Sequence, residues 1–230
     1  MPSPLTPDVL ARLRTFSSPT LANAVETFNL RPRTAGFMSS QIRCIFPDLG
    51  PMAGYAFTAT CRASTQPPRD AGTRRIEMWR ALEETPAPRI VVIQDLDDPP
   101  GIGAYWGEVQ GNIHRALGCI GTVTNGGVRD LDEVRALGFH FFAGSVVVSH
   151  AYVHLVDFGK PVDVGGLTVR PGDLLHGDQH GILSIPLEIA ARLDEGVQKV
   201  DREERQIIEY CQSPGFTRAG FEELYRRLRG

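Results

Sequence analysis

The residues with the most chemistry in them lie in the stretch TVTNGGVRDLDE, residues 122–133. Arg129 and Asp130 stand side by side after Asn125-Gly126-Gly127. An arginine presents a planar fork that suits a carboxylate. An aspartate oxygen suits a hard divalent cation, which keeps several of its waters. A second carboxylate near that hydrated ion could move protons, and Glu108, Asp97 and Asp98 are the candidates. Glycines at 107, 126 and 127 would let backbone N–H groups approach a ligand, and a helix starting after Gly107 would favour an anion. A surface turn with an incidental ion pair accounts for the same letters, so the string alone leaves both readings open.

The elements that must position these residues are legible around them. RIVVIQDL (residues 89–96) is a short β-branched run, the pattern of a buried strand. GEVQGNIHRALG predicts a helix with Val109, Ile113, Ala116 and Leu117 on its apolar face and Gly118 closing it. CIGTVT is the next strand, NGGVRD a loop, LDEVRALG a helix and HFFAGSVVV a third strand. Strand and helix alternate over residues 89–148, which predicts a parallel α/β core. In such sheets ligands bind beyond the carboxyl ends of strands, so the loops after residues 96 and 124 should open on one edge.

Outside that core, Thr6-Pro7 and Ser18-Pro19 each predict a helix start. Residues 34–62 turn strand-like in RCIF and GYAFTATCR, and MWRALEET predicts a helix ending before Pro86. Residues 160–186, rich in Gly, Pro and Asp, predict small antiparallel hairpins. A long, charged amphipathic helix follows to Gln212, then a short one through RAGFEELYRRLR. The whole is expected to be a single domain over residues 1–230, its core about 22–186 and its C-terminal helical extension 187–230.

Composition narrows the partners. The net charge of −3 gives no positive field for nucleic acid, and the basic clusters YRRLR and RRIEMWR read as solvated helix faces. Cys44, Cys61, Cys119 and Cys211 are widely spaced, which argues against a zinc ribbon or a disulfide framework. No secretory signal pattern is evident, and no apolar run reaches the ~20 residues of a membrane span. A cytoplasmic protein is expected. His150 and His154 stand four apart but in a β-branched run, and are expected to be structural or interfacial. HGDQH (residues 176–180) is expected to be a structural hairpin, with Asp173 and Asp178 forming turns. GIGAYWG lacks the spacing of a dinucleotide fingerprint, and Cys119 reads as a core residue.

GEVQGNIHRALGCIGTVTNGGVRDLDE, with VRPGDLLHGDQHGILSIP downstream, resembles the RraA-like family. That family contains divalent-metal 4-hydroxy-4-methyl-2-oxoglutarate aldolases and non-enzymatic protein inhibitors of ribonuclease E. The resemblance implies an α/β swivelling β/β/α domain of RraA type with N- and C-terminal helices, assembled as a homotrimer or a homohexamer. It implies a class II lyase: an aldolase, oxaloacetate decarboxylase or both, using Mg²⁺ or Mn²⁺ on a small 2-oxo acid. Twenty residues separate Glu108 from Arg129-Asp130, and Glu133 follows, as in the aldolase branch. The implied roles are substrate binding by Gly107, Glu108, Val109, Gln110 and Arg129, metal ligation by Asp130, and proton transfer by Glu108. Glu203 or Glu204 would be an acid lent to a neighbouring subunit. Glu108 and Asn125 stand where aspartates are usual, which leaves the substrate open. The alternative is a non-catalytic RraA-type regulator that binds an RNA-processing enzyme.

Overall fold

Successive residues of the strand Arg89–Asp95 point in opposite directions, and both directions are buried. Val91 and Ile93 join one apolar cluster, Ile90 and Val92 another, so this strand has packed layers on both sides. The computed structural model describes residues 5–229. In chain order its elements begin with helices α1 (Pro7–Leu13) and α2 (Ser18–Glu26), strand β1 (Arg43–Cys44) and the long strand β2 (Met52–Arg62). Helix α3 (Ala71–Leu82), strands β3 (Arg89–Asp95) and β4 (Ala104–Trp106), helix α4 (Glu108–Ala116) and strand β5 (Cys119–Val128) follow. Then come α5 (Leu131–Ala136), β6 (His140–Val146), β7 (His154–Phe158), β8 (Val162–Val164) and β9 (Leu167–Val169). The chain continues with β10 (Leu174–Asp178), β11 (Gly181–Ile185), α6 (Leu187–Ala190), α7 (Leu193–Gln212) and α8 (Arg218–Arg229).

The sheet runs β1-β6-β5-β3-β2-β10-β11, with β2, β3, β5 and β6 mutually parallel and the flanks antiparallel. It is a mixed α/β fold in which this sheet curls into a nearly closed barrel-like form. Met78, Leu82 and Val134 of α3 and α5 cover one face. The hairpin β8–β9 contributes Val162, Val164 and Val169 to the cluster on the other. The N- and C-terminal helices pack together through Leu21, Ala24 and Leu193. The expected hairpins are both present, as β8–β9 and β10–β11.

The helix starts follow side-chain chemistry. Thr6 accepts the Val9 amide at 3.4 Å with Pro7 opening α1. In α2 the capping residue is Ser17 rather than Ser18. Ser18 instead turns inward, its amide donating to Asp178 at 2.8 Å and its hydroxyl lying 2.9 Å from His176 Nδ1. His176 and Asp178 of HGDQH are thus a buried clamp on the start of α2, while Gln179 and His180 are exposed. Burial pushes His176 down to about 4, so its imidazole is neutral at neutral pH.

The largest departure from expectation concerns Asn-Gly-Gly. Residues 125–127 are not a turn: β5 runs through them to Val128, with the pairing register shifting between Thr124 and Gly127. β3 pairs with β5 only as far as Thr124, and β4 pairs with it from Gly127. Asn125 sits at this hand-over. Its Oδ1 accepts the Asp95 amide at 2.7 Å and its Nδ2 donates to the Asp95 carbonyl at 2.9 Å, imitating a ladder pair. Gly126 is needed beside it, because a Cβ there would lie 2.8 Å from the Asp95 carboxylate. Replacing Asn125 by aspartate would keep the acceptor, lose the donor and add charge beside buried Asp95. N125D is expected to lose about 1–3 kcal/mol of stability in urea denaturation; an unchanged midpoint would show that this pairing does not hold the bulge.

Candidate active site

β4 lies beside the last two residues of β5, so the chains leaving them emerge together. The Arg129 amide donates to the Trp106 carbonyl at 3.0 Å. One residue further on, the Glu108 amide donates to Asp130 Oδ2 at 2.9 Å, and Arg129 Nε stands 3.6 Å from the same oxygen. Asp130 has φ 55 and ψ 51, a left-handed conformation that a non-glycine residue adopts at a cost and that aspartate tolerates better than most. Gly107 is extended and caps α4; a Cβ there would meet Asp130 Oδ2. Arg129 and Asp130 are each about one-third exposed, at 36% and 32%.

These groups line a cleft of about 310 Å³ that also takes in Val109, Gln110, Tyr105 and His150. Of the residues singled out in the sequence, Gly107, Val109, Gln110, Arg129 and Asp130 meet here. Glu108 is adjacent but its side chain is exposed, makes no hydrogen bond or ion pair among the described residues, and does not line the cleft. Its amide is already taken by Asp130, while the next two amides, of Val109 and Gln110, have no helical acceptor. Asp97 and Asp98 are elsewhere. Burial opposes ionisation of Asp97, but the Ser64 hydroxyl and the amides of Ala63 and Ser64 hold it below the usual carboxylate range. Asp98 is exposed and outside the cleft. Asp95 shifts the other way, raised by burial, with the amides of Asp97 and Gly101 on its oxygens.

The expected apolar face of α4 is displaced. Val109 is 68% exposed at the cleft and Ala116 is exposed, while Gly111 and His114 face inward. His114 lies under Trp106 with ring centroids 4.6 Å apart, and its Nδ1 meets the Gln110 carbonyl at 2.8 Å. Burial pushes its pKa to about 4. Trp106 is fully buried against Phe139 and Phe141, so it forms the floor of the site, not its wall. His150 and His154 part company: His150 lines the cleft, and His154 is buried at the start of β7. Arg75 was hidden in the basic cluster RRIEMWR, read as a solvated face; it is half-buried and reaches the same cleft from α3. A local charge count carries no signal for this, since the fold alone brings α3 to the site.

The family model RraA-like, described as Aldolase/RraA, matches residues 19–184. This chain belongs to the RraA-like family. It is 30% identical over 112 residues to a Halalkalibacterium halodurans protein named "Putative 4-hydroxy-4-methyl-2-oxoglutarate aldolase", covering 48% of this chain and 52% of that one. A Methanocaldococcus jannaschii protein without an assigned function is likewise 30% identical, over 107 residues, 46% of this chain and 51% of its own. The chain thus spans about half the length of these two curated relatives. Among solved structures, Streptomyces coelicolor RraAS2, titled an unusual member of the RNase ES inhibitor RraA protein family, superposes with a TM-score of 0.67. Its identity is 22%, over 92% of this chain and 99% of that one, so it bears on fold alone. The RraA-like family therefore includes both aldolases and ribonuclease inhibitors, and the lyase reading has to come from the cleft.

No described helix is long and apolar enough to cross a membrane. Cys119 is buried as expected, its thiol pushed up to about 12 by desolvation. The close approach of Gly107 to Asp130 makes a direct prediction. G107A should displace the Asp130 carboxylate, break its hydrogen bond with the Glu108 amide and lower stability by about 1–3 kcal/mol. Urea denaturation checks this; an unchanged midpoint would free Asp130 from its dependence on Gly107.

Proposed function

We propose that this RraA-like protein is a divalent-metal-dependent C–C lyase, cleaving a 4-hydroxy-2-oxo acid by retro-aldol chemistry, decarboxylating oxaloacetate, or both. The observation that carries this reading is Asp130, one carboxylate fixed by the Glu108 amide and flanked by Arg129 at a cleft. The aldolase name of the halodurans relative supports it. Among the described residues no three His, Cys, Asp or Glu side chains gather as a cage for an ion. The donor set fits a hydrated Mg²⁺ or Mn²⁺ anchored by Asp130 alone, whose Oδ1 has no partner among the described residues, the other positions being left to water and substrate. Bound there, the cation would supply Lewis-acid polarisation of a 2-oxo group.

The chain's own residues do the rest. Arg129 pairs with the substrate's first carboxylate, and the amides of Val109 and Gln110 present partial positive charge at the start of α4. Glu108, whose side chain stands outside the cleft lining, takes the proton of the 4-hydroxyl through an intervening water as the C3–C4 bond breaks. The bonding pair passes to C2–C3, giving the enolate of pyruvate, and the departing half leaves as a carbonyl compound. Protonation at C3 completes the cycle; loss of CO₂ from oxaloacetate delivers the same electron pair to the same carbon.

The same reading treats residues 1–230 as one functional unit in a trimer or hexamer, with Glu203 or Glu204 reaching a neighbour. In this chain both line a separate groove between α2 and α7, where Glu204 lies 3.4 Å from Asn23. The mass in solution tests the assembly, and a fully active monomer would remove it from the proposal.

Pyruvate release from oxaloacetate and from 4-hydroxy-2-oxoglutarate, with Mg²⁺ and with chelator, tests the activity. Release should require the cation, and E108Q should bind metal normally while losing about 10²–10⁴ in turnover. Full activity of E108Q would remove Glu108 from its role. With no cation-dependent pyruvate from either acid, the lyase reading gives way to the RraA-type regulator that binds an RNA-processing enzyme.

A further inference from the structure

The cleft carries one more guanidinium than its own carboxylate can match. Arg75 and Arg129 both line it, against the single carboxylate Asp130. Arg129 already stands 3.6 Å from that carboxylate. Arg75 forms no ion pair among the described residues, and its Nε is buried without a hydrogen-bond partner. A guanidinium N–H withdrawn from water with nothing to accept it is unfavourable, and an anion arriving in the cleft would relieve that cost.

An aromatic ring stands beside it. The Arg75 guanidinium carbon lies 5.8 Å from the centre of the Tyr105 ring, close enough for the ring face to hold the cation in place. Tyr105 is only 6% exposed; it lines the cleft, while its hydroxyl is withdrawn from solvent next to Arg75. Burial pushes that hydroxyl up to about 12, against the opposing charge of Arg75, so it is a proton donor at neutral pH. The forked N–H groups of a guanidinium match the two oxygens of a carboxylate.

We propose that Arg75, steadied by the Tyr105 ring, is the specificity-determining residue of this cleft and binds a second carboxylate on the substrate. The assignment rests on the lyase reading for the role of the first carboxylate, which belongs to Arg129. It also selects between the two reactions. A guanidinium held on the distal carboxylate stabilises that group as an anion, which opposes its departure as CO₂. The substrate best served keeps both carboxylates through the step: the C3–C4 bond breaks, and the distal carboxylate leaves intact on the carbonyl fragment.

Two paired comparisons test this on the full chain with Mg²⁺. In turnover, 4-hydroxy-2-oxoglutarate is set against 4-hydroxy-2-oxopentanoate, which lacks only the distal carboxylate. In calorimetry, 2-oxoglutarate is set against 2-oxopentanoate, which have no 4-hydroxyl and undergo no cleavage. The native protein should prefer the diacid in both. R75Q should reduce that preference by about 10–100-fold, mainly through KM, as expected for loss of a charge-assisted contact. R75K should restore part of it, and Y105L, which removes the ring that holds Arg75, should lower it by about 3–10-fold. If R75Q weakens diacid and monoacid equally, or if native protein binds both equally or neither, the assignment is overturned. If the diacid preference in binding is present and lost in R75Q while no acid is cleaved, the Arg75 site stands and the lyase reading falls. Thermal melts of each variant separate these outcomes from unfolding.

Discussion

The hydrogen bond from the Glu108 amide to the Asp130 carboxylate joins two segments that are distant in sequence, and the cleft is organised around it. It forms because β4 takes over beside β5 where β3 ends, so that Gly107 and Arg129 leave the sheet as neighbours. The absence of a side chain at Gly107 lets the carboxylate in, and the left-handed backbone of Asp130 turns it toward the α4 amide. Remove the hand-over between strands and none of these contacts has a reason to exist. The site is therefore a property of how the sheet is spliced as much as of its charged residues.

Beneath the charges lies a rigid apolar floor. Trp106 is fully buried between His114 and the Phe139–Phe141 pair, and desolvation keeps His114 neutral. A neutral ring packed on an aromatic one adds no competing charge under the cleft, so ligand polarity is set by the wall residues. Those residues lie close to the ends of strands and helices: Tyr105 on β4, Val109 and Gln110 in the first turn of α4, and Arg129 and Asp130 in the two-residue link from β5 to α5.

Much of the scaffold was legible from local patterns. The β-branched runs at 89–95, 119–124 and 140–146, interleaved with helices, identified the parallel core because burial on both faces demands apolar residues at every position. The Gly-rich hairpins and the helix starts at Thr6 and near Ser18 were equally readable, since each depends on residues close in sequence. Asn125-Gly126-Gly127 was misread as a turn for the same reason. Locally it has turn chemistry, but Asn125 completes a ladder to Asp95, thirty residues away. The inward face of α4 was misread too: Val109 is left at the cleft because the sheet below presents Trp106 to His114.

What the sequence by itself determined is the family and the chemical inventory: Glu108, Arg129 and Asp130 inside the RraA-like match, on elements that share a sheet edge. What only the tertiary structure decided is who faces whom. It turned the Glu108 side chain out while using its amide, retired Asp97 to a loop anchor, and brought Arg75 from α3 to stand with Tyr105 in the cleft. The division has a physical basis. Periodicity and spacing report which side of its own element a residue occupies, whereas burial, charge balance and hydrogen-bond satisfaction depend on groups that other elements deliver.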